Sequence, residues 1–347
     1  MNLRSKRIFV GLSGGVDSAV TAALLQKSGA EVTGVFIKGW YPPGMPCTWA
    51  EDRRDAMRVA AHLGIPFHTL DAADEYKKGV IDYLLSEYKA GRTPNPDIMC
   101  NREVKFGAYY EFAKKNGADF IATGHYAQAV HTEKHSVQMQ RGIDESKDQS
   151  YFLWAIPQEA LDMTIFPLGG FEKTHVRTLA KKFALPVAEK KDSQGICFLG
   201  SISVEEFLRH EFGTAPGIAR SDLGEEIGVH DGALLHTLGE RIALANAAPG
   251  PWYVIGKDIE ANELIVSSEI SQTRPVHEID LTQTNWFSMS EKAVEAQYRY
   301  HGPRISGTLT MHGNRFSLDT PLTEPVAQGQ SLVLYDGSKC LGGGIIA

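Results

Sequence analysis

An apolar run, Ile8-Phe9-Val10, breaks at Gly11-Leu12-Ser13-Gly14-Gly15. The chain then resumes with Val16, Val20, Ala23 and Leu24 at helical spacing, up to Gly29. That order predicts a buried strand, a tight glycine loop and a helix. Positions 31–37 read as a second strand and 39–46 as a loop rich in Gly and Pro. An amphipathic helix is predicted over 51–63, a short strand over 67–70 and a further helix over 75–89. Strands alternating with helices at this spacing predict a parallel sheet covered on both faces. Positions 91–100 (GRTPNPDIMC) break the rhythm, and their two prolines predict a stiff, extended loop. Helix resumes over 102–116 and strand over 119–123, 127–141 alternates like a hairpin, and 172–183 reads as a helix ended near Pro186.

From about Ser201 the texture changes. A short helix (204–211) precedes glycine-punctuated segments and a hairpin over 252–266. From Arg274 on the pattern is β, with strands over 294–300, 304–311, 315–318, 330–335 and 340–346. That spacing suits a small β-barrel. A chain of 347 residues exceeds what one core organises, so two or three domains are expected. The texture divides it into 1–200, 201–270 and 271–347.

Composition narrows the function classes. No apolar run is long enough to span a membrane, and Met1 to Arg7 lacks the apolar stretch of a signal peptide, so a cytoplasmic location without membrane partner is expected. The net charge of −7 argues weakly against a nucleic-acid binder, although a local basic patch is compatible with it. Cys47, Cys100, Cys197 and Cys340 are scattered and form no C-x-x-C pair, so no metal site is expected. In a reducing compartment each is either a small hydrophobe or a working thiol.

The glycine loop is the first candidate for chemistry. Glycines let a ligand approach the backbone, and free N–H groups at a helix start, with the helix dipole, suit an anion. The loop has neither G-x-x-x-x-G-K-[ST] nor G-x-G-x-x-G. Gly124-His125-Tyr126 follows the 119–123 strand and points toward the same crevice, because ligands in parallel sheets sit beyond the carboxyl strand ends.

Several separated motifs occur in one order: SGGVDS at 13–18, TPNPDIMCNREVKF at 93–106, ATGHYA at 122–127, KDQSYFL at 147–153, FPLG at 166–169, KKDSQGICFLG at 190–200, RYHGP at 299–303 and LGGGII at 341–346. The first resembles the pyrophosphate loop of the ATP pyrophosphatase superfamily. The whole set resembles the bacterial tRNA-specific 2-thiouridylase family over nearly the full chain. The resemblance implies an α/β fold: a Rossmann-like catalytic domain of the adenine nucleotide α-hydrolase type, a small central α+β domain and a C-terminal β-barrel, the last two binding tRNA. It implies a tRNA-uridine 2-sulfurtransferase that adenylates the wobble uridine with ATP, accompanied by Mg2+ and without a tightly bound cofactor. Sulfur from a cysteine persulfide, supplied by a donor protein, then replaces the 2-oxygen.

By motif match, Cys197 resembles the persulfide carrier, Cys100 its partner in a transient catalytic disulfide and Asp97 the acid/base group. ATP contacts are implied for Gly11, Leu12, Ser13, Gly14, Gly15, Val16, Asp17, Ser18, Ile37 and Gly124. tRNA contacts are implied for Asn95, Pro96, Asp97, His125, Lys147, Asp148, Gln149, Arg299, Tyr300 and Gln330. The chain departs from the family's T-x-G-Q-R-x-G-L pattern at Glu240 and Ala243, and an acid at 240 would repel phosphate. Two other readings use the same loop. An ATP-dependent amide ligase would need neither Cys100 nor Cys197, and an RNA binder with a degenerate nucleotide site would release no AMP. Separate cores predict that removing everything after about Arg274 leaves the ATP site folded.

Overall fold

The computed structural model describes residues 2–44, 49–131, 136–192, 202–247, 249–270, 275–290, 292–310 and 314–347. Cys197, and with it the expected disulfide to Cys100, lies outside the described residues.

Strand β1 (Arg7–Gly11) leads through the glycine loop into helix α1 (Val16–Lys27). Then come β2 (Glu31–Lys38), α2 (Trp49–Leu63) and β3 (Phe67–Asp71). After helical stretches over 73–89 and 96–115, β4 (Phe120–Ala122) enters the sheet beside β1. A hairpin, β5 (Ala127–His131) and β6 (Val137–Arg141), precedes the short β7 (Thr164–Ile165). The parallel sheet runs β3-β2-β1-β4-β7. Strand order reverses between β1 and β4, and a sheet of this kind opens its crevice at that point. Helix α1 is apolar on nearly every face, because it is buried between the sheet and the helix Lys173–Lys182, whose Val176 and Ala180 share its core.

One predicted loop is partly helix. Asn95 Oδ1 accepts the N–H groups of Asp97 (3.1 Å) and Ile98 (3.3 Å), and Pro96 takes the first helical position. An asparagine cap with proline behind it starts a helix, so the helical stretch begins at Pro96 rather than at Arg102. It widens to a π-type turn over Cys100–Ala108, a local departure that recurs at functional sites.

The central region has five strands: β8 (Gly217–Arg220), β9 (Glu226–His230), β10 (Arg241–Ile242), β11 (Trp252–Asp258) and β12 (Glu263–Ser267), in the order β10-β11-β12-β8-β9. The preceding helix, Val204–Phe212, buries Phe207 and Leu208 in the catalytic domain's core. The C-terminal strands are β13 (Val276–Trp286), β14 (Val294–Gln297), β15 (Ile305–Leu309), β16 (Arg315–Leu322), β17 (Ser331–Asp336) and β18 (Lys339–Ile346). They pair β13-β16-β15-β14-β17-β18, and β13 closes on β18 to complete an antiparallel barrel.

The expectation of separate cores holds in part: the barrel has its own core around Phe316, Leu332 and Leu334 and the central region another around Val254 and Leu264, but one face of the barrel joins the catalytic domain. Val333, Tyr335, Cys340 and Ile345 of the barrel share one core with Trp154, Tyr151 and Tyr109 of the catalytic domain. Asn285 Nδ2 donates to the carbonyls of Trp154 (2.7 Å) and Ile156 (2.9 Å), and Tyr151 donates its hydroxyl to the Ser331 carbonyl at 2.9 Å. Among the described residues no helix is long and apolar enough to cross a membrane.

Candidate active site

The glycine loop turns on Gly14, whose φ is +79°. A Cβ there would run into the backbone carbonyl of Asp52, so both the angle and the space require glycine. Ser18 Oγ lies 3.2 Å from Ser13 Oγ, accepts the Ser13 N–H at 3.2 Å and donates to the Gly15 carbonyl at 3.1 Å, which braces the loop. Gly15 stands at the α1 N-cap with no side-chain cap, so the backbone N–H groups at this helix start are left for a ligand. Ile37 sits near the carboxyl end of β2, packed against the core that holds Val35 and Tyr76.

Gly124 follows β4 and faces the loop directly. A Cβ would lie 2.9 Å from the Ser18 nitrogen and 3.1 Å from the Asp17 Cβ. Its glycine is therefore required by the loop packed over it, whatever the nucleotide needs. His125 is buried, bonds Thr123 Oγ1 through Nδ1 at 2.7 Å and contacts the rings of Phe106 and Phe166. Burial and the nearby Lys105 cation hold it well below the usual imidazole range, so it is neutral. Phe106 belongs to the 96–115 helical stretch, and this contact ties the loop side of the crevice to Asp97 and Cys100.

Cys100 is buried at the start of the wide helical turn. Burial pushes the Asp97 carboxyl up, against the opposing pull of Lys105. A carboxyl raised toward neutrality is suited to giving and taking protons. Asn95 and Pro96 start the helix that carries both groups. The next residue, Asn101, donates to the Phe152 carbonyl at 3.0 Å. Phe152 lies 4.3 Å, ring to ring, from Tyr300, which also meets His301 (4.0 Å) and Tyr151 (6.0 Å). Tyr300 is 37% exposed, so this aromatic cluster opens to solvent next to the cysteine helix. Its phenol is pushed up to about 12 by burial and by the charges of Asp148 and Asp97.

Other expected tRNA residues are engaged within the protein. Asp148 is buried; its carboxylate accepts the N–H groups of Gly142 (2.9 Å) and Ser150 (3.1 Å), the Ser150 hydroxyl (3.0 Å) and Arg141 (3.4 Å). Ser150 Oγ in turn meets the Tyr335 hydroxyl at 3.1 Å, while Arg141 stacks on the Tyr335 ring at 3.4 Å and bonds Gln297. Asp148 thus fastens the barrel to the catalytic domain. Gln149 exchanges hydrogen bonds with the Tyr126 backbone. Gln330 donates to the Thr93 carbonyl at 3.1 Å and braces the loop that leads to Asn95. Lys147 and Arg299 keep exposed side chains, Arg299 pairing with Glu324 at 2.8 Å.

Comparison with known proteins agrees with this geometry. Three family models match consecutively: a "tRNA methyl transferase HUP domain" over 6–201, a "tRNA methyl transferase PRC-barrel domain" over 205–268 and an "Aminomethyltransferase beta-barrel domain" over 276–346. The chain is 44% identical to the tRNA-specific 2-thiouridylase MnmA of Shewanella putrefaciens, covering 98% of this chain and 96% of that protein. Its identity to the same-named protein of Pseudomonas syringae pv. syringae is 43%, covering 99% and 95%; for Listeria monocytogenes serotype 4b it is 41%, covering 98% and 94%. The chain belongs to the tRNA-specific 2-thiouridylase family. Within this fold Gly124 packs on the loop at 13–18, Phe106 of the helix bearing Asp97 and Cys100 meets His125, and Asn101 of the same helix bonds Phe152 in the aromatic cluster around Tyr300.

Two sets of contacts are invisible to motif reading, one at the loop and one in the central region. Lys173 binds both oxygens of Asp17 at 2.8 Å, and Tyr126 donates to the same carboxylate at 2.9 Å. The partners are 156 and 109 positions from Asp17 in sequence. Glu240, the departure from the family pattern, does not face open solvent as a bare acid. Its carboxylate accepts the Thr237 N–H (2.8 Å) and meets His236 Nδ1 (3.2 Å), while His236 Nε2 meets Asp231 at 2.8 Å. Burial pulls the His236 imidazole down, but a carboxylate at each ring nitrogen outweighs it and holds the group above its ordinary range.

Proposed function

We propose that this chain is a tRNA-uridine 2-sulfurtransferase that makes 2-thiouridine at the wobble position. The observation carrying this reading is the physical continuity of the site. The ATP loop reaches the Asp97–Cys100 helix through Gly124, His125 and Phe106, and that helix reaches the aromatic cluster through Asn101 and Phe152.

The loop's free N–H groups and helix dipole hold the phosphates, with Ser13, Gly14, Gly15 and Ser18 shaping the cradle and Ile37 lining the adenine side. Mg2+ accompanying ATP would supply charge neutralisation on the phosphates; the loop's one carboxylate, Asp17, already has both oxygens on Lys173 and does not fit as its ligand. The target base must leave its stack to react, and the Tyr300–Phe152 surface gives an unstacked base an aromatic face. The uridine 2-oxygen attacks the α-phosphorus and pyrophosphate leaves, which turns a poor leaving group into a good one. The terminal sulfur of a Cys197 persulfide then takes C2 and AMP departs. That leaves the base joined through the transferred sulfur to Cys197 Sγ; the Cys100 thiolate attacks Cys197 Sγ, the S–S bond to the base breaks, and 2-thiouridine leaves as the Cys100–Cys197 disulfide forms, with Asp97 handling the protons. An external thiol resets the pair. A persulfide donor protein and a cytoplasmic site of action follow from this chemistry.

The amide-ligase reading leaves the buried thiol and raised carboxyl of the 96–115 stretch without work. Incubating tRNA, ATP and a persulfide source with the wild type and with Cys197→Ser, followed by nucleoside analysis, separates the two. 2-Thiouridine from the wild type and none from the variant is the expected result; thiolation by Cys197→Ser would overturn the assigned role.

A further inference from the structure

The glycine loop carries no lysine of its own, and Lys173 is taken up by Asp17 and Asp192. A cation enters the crevice from the other wall. Lys105 stands on the wide helical turn Cys100–Ala108 and is partly buried, between the buried Val104 and Phe106. Phe106 meets the His125 ring at 6.0 Å. Residues as far apart as Asp97 and Lys105 are offset by about 80° around a regular α-helix. The wide turn closes with the Tyr109 N–H on the Val104 carbonyl, and so advances less per residue. That brings Lys105 round toward the face of Asp97, and helical side chains lean toward the N-terminus, the direction in which Asp97 lies. The electrostatics agree with this geometry. The Lys105 charge acts on groups from two separate elements: it pulls the Asp97 carboxyl down against burial, and it adds to burial in lowering His125. His125 follows Gly124, which packs on the Ser18 nitrogen of the loop, whereas Asp97 lies on the side of Tyr300, whose phenol feels its charge. Lys105 therefore sets positive charge between the phosphate loop and the aromatic cluster.

We propose that Lys105 is a catalytic residue that holds the α-phosphate of ATP while the uridine is adenylated. The inference rests on the sulfurtransferase reading. The loop grips the pyrophosphate part of ATP, so the α-phosphorus lies beyond it, toward Asp97, where the target base arrives. Uridine O2 bonds to the α-phosphorus, the bond to the bridging oxygen breaks, and pyrophosphate leaves with the electron pair. The uridine N3 proton passes to the Asp97 carboxylate. Negative charge builds on the non-bridging α-oxygens as the new bond forms, and an ammonium fixed beside them stabilises that charge. Because it acts more on the transition state than on bound ATP, it raises rate rather than affinity.

The test reads that step alone. The full chain and unmodified tRNA are held in excess over γ-labelled ATP, without a persulfide donor, and the single-turnover rate of tRNA-dependent pyrophosphate release is measured. Lys105→Met should lower that rate by about 100-fold or more, as for loss of a preorganised group at a reacting oxygen. Its affinities for ATP and tRNA should stay within a few-fold of wild type, and Lys105→Arg should recover part of the rate. If Lys105→Met does not fold, Lys105→Gln, which keeps a polar end on the stem, is read in its place. A release rate within a few-fold of wild type would overturn the assignment. So would a variant that binds ATP weakly yet releases pyrophosphate normally once saturated, because Lys105 would then only bind. A wild type releasing no pyrophosphate with tRNA would instead overturn the assigned reaction.

Discussion

At the scale of single residues, environment rather than identity separates the groups. Asp97 and Asp148 are both carboxylates in family motifs, yet burial raises Asp97 while Asp148 is occupied by hydrogen bonds from Gly142, Ser150 and Arg141. Asp97→Asn should therefore lower the thiolation rate by about 100-fold or more, as for loss of a proton-transfer group, with little change in protein melting. A rate within a few-fold of wild type would remove Asp97 from the chemistry. Glu240 has a different consequence. Burial pulls His236 down, but its hydrogen bonds to the Glu240 and Asp231 carboxylates outweigh it and the net direction is up. Its other charged or titratable neighbours are His230, whose ring it meets, and Lys257, which donates to its carbonyl. A raised imidazole stabilises the fold below the unfolded value of 6.5 and loses that contribution as pH rises through the folded value. Glu240→Gln should then be less stable than wild type at pH 6 and nearly equal at pH 9 by denaturant melting. A pH-independent difference would contradict the pairing of His236 with Glu240.

At the scale of elements, the sequence pattern was legible wherever period and burial coincide. The glycine loop between β1 and α1 follows from Ile8-Phe9-Val10 and the helical recurrence after Val16. Pro96 misled because its rigidity reads as extended chain, whereas Asn95 before it converts the same residue into a helix start. Strand β13 went unmarked because Val276–Trp286 buries only Ile279 and Leu281, leaving a weak alternation. The loop itself yields a sharp expectation. Gly14→Ala places a Cβ on the Asp52 carbonyl at a positive φ, a strain of roughly 1–3 kcal/mol. ATP affinity, measured by calorimetry, should fall at least about tenfold, because that strain is relieved only by moving the loop. Unaltered affinity would show that the loop's shape does not set the phosphate site.

At the scale of the whole molecule, the domains are bolted together at the site. Pairings such as Ser150 with Tyr335 or Trp154 with Asn285 join residues 185 and 131 positions apart, and no local pattern announces them. The family resemblance supplied the expected roles of Asp97 and Cys100, while the contact of Phe106 with His125, next to the Gly124 that packs on the loop, links their helix to that side of the sheet. Because Trp154 and Tyr151 bury against the barrel, truncation after residue 274 should expose that core and abolish cooperative melting of the catalytic domain. A truncated protein that still melts cooperatively and binds ATP would show the cores to be independent.

The central claim is that ATP activates a tRNA uridine for replacement of its 2-oxygen by sulfur. It is tested most directly by single-turnover reaction of the wild type with unmodified tRNA, α-labelled ATP and a persulfide donor. The account predicts one AMP and one pyrophosphate for each 2-thiouridine at the wobble position. Release of ADP and phosphate, or AMP formation with no thiolated nucleoside, would contradict it.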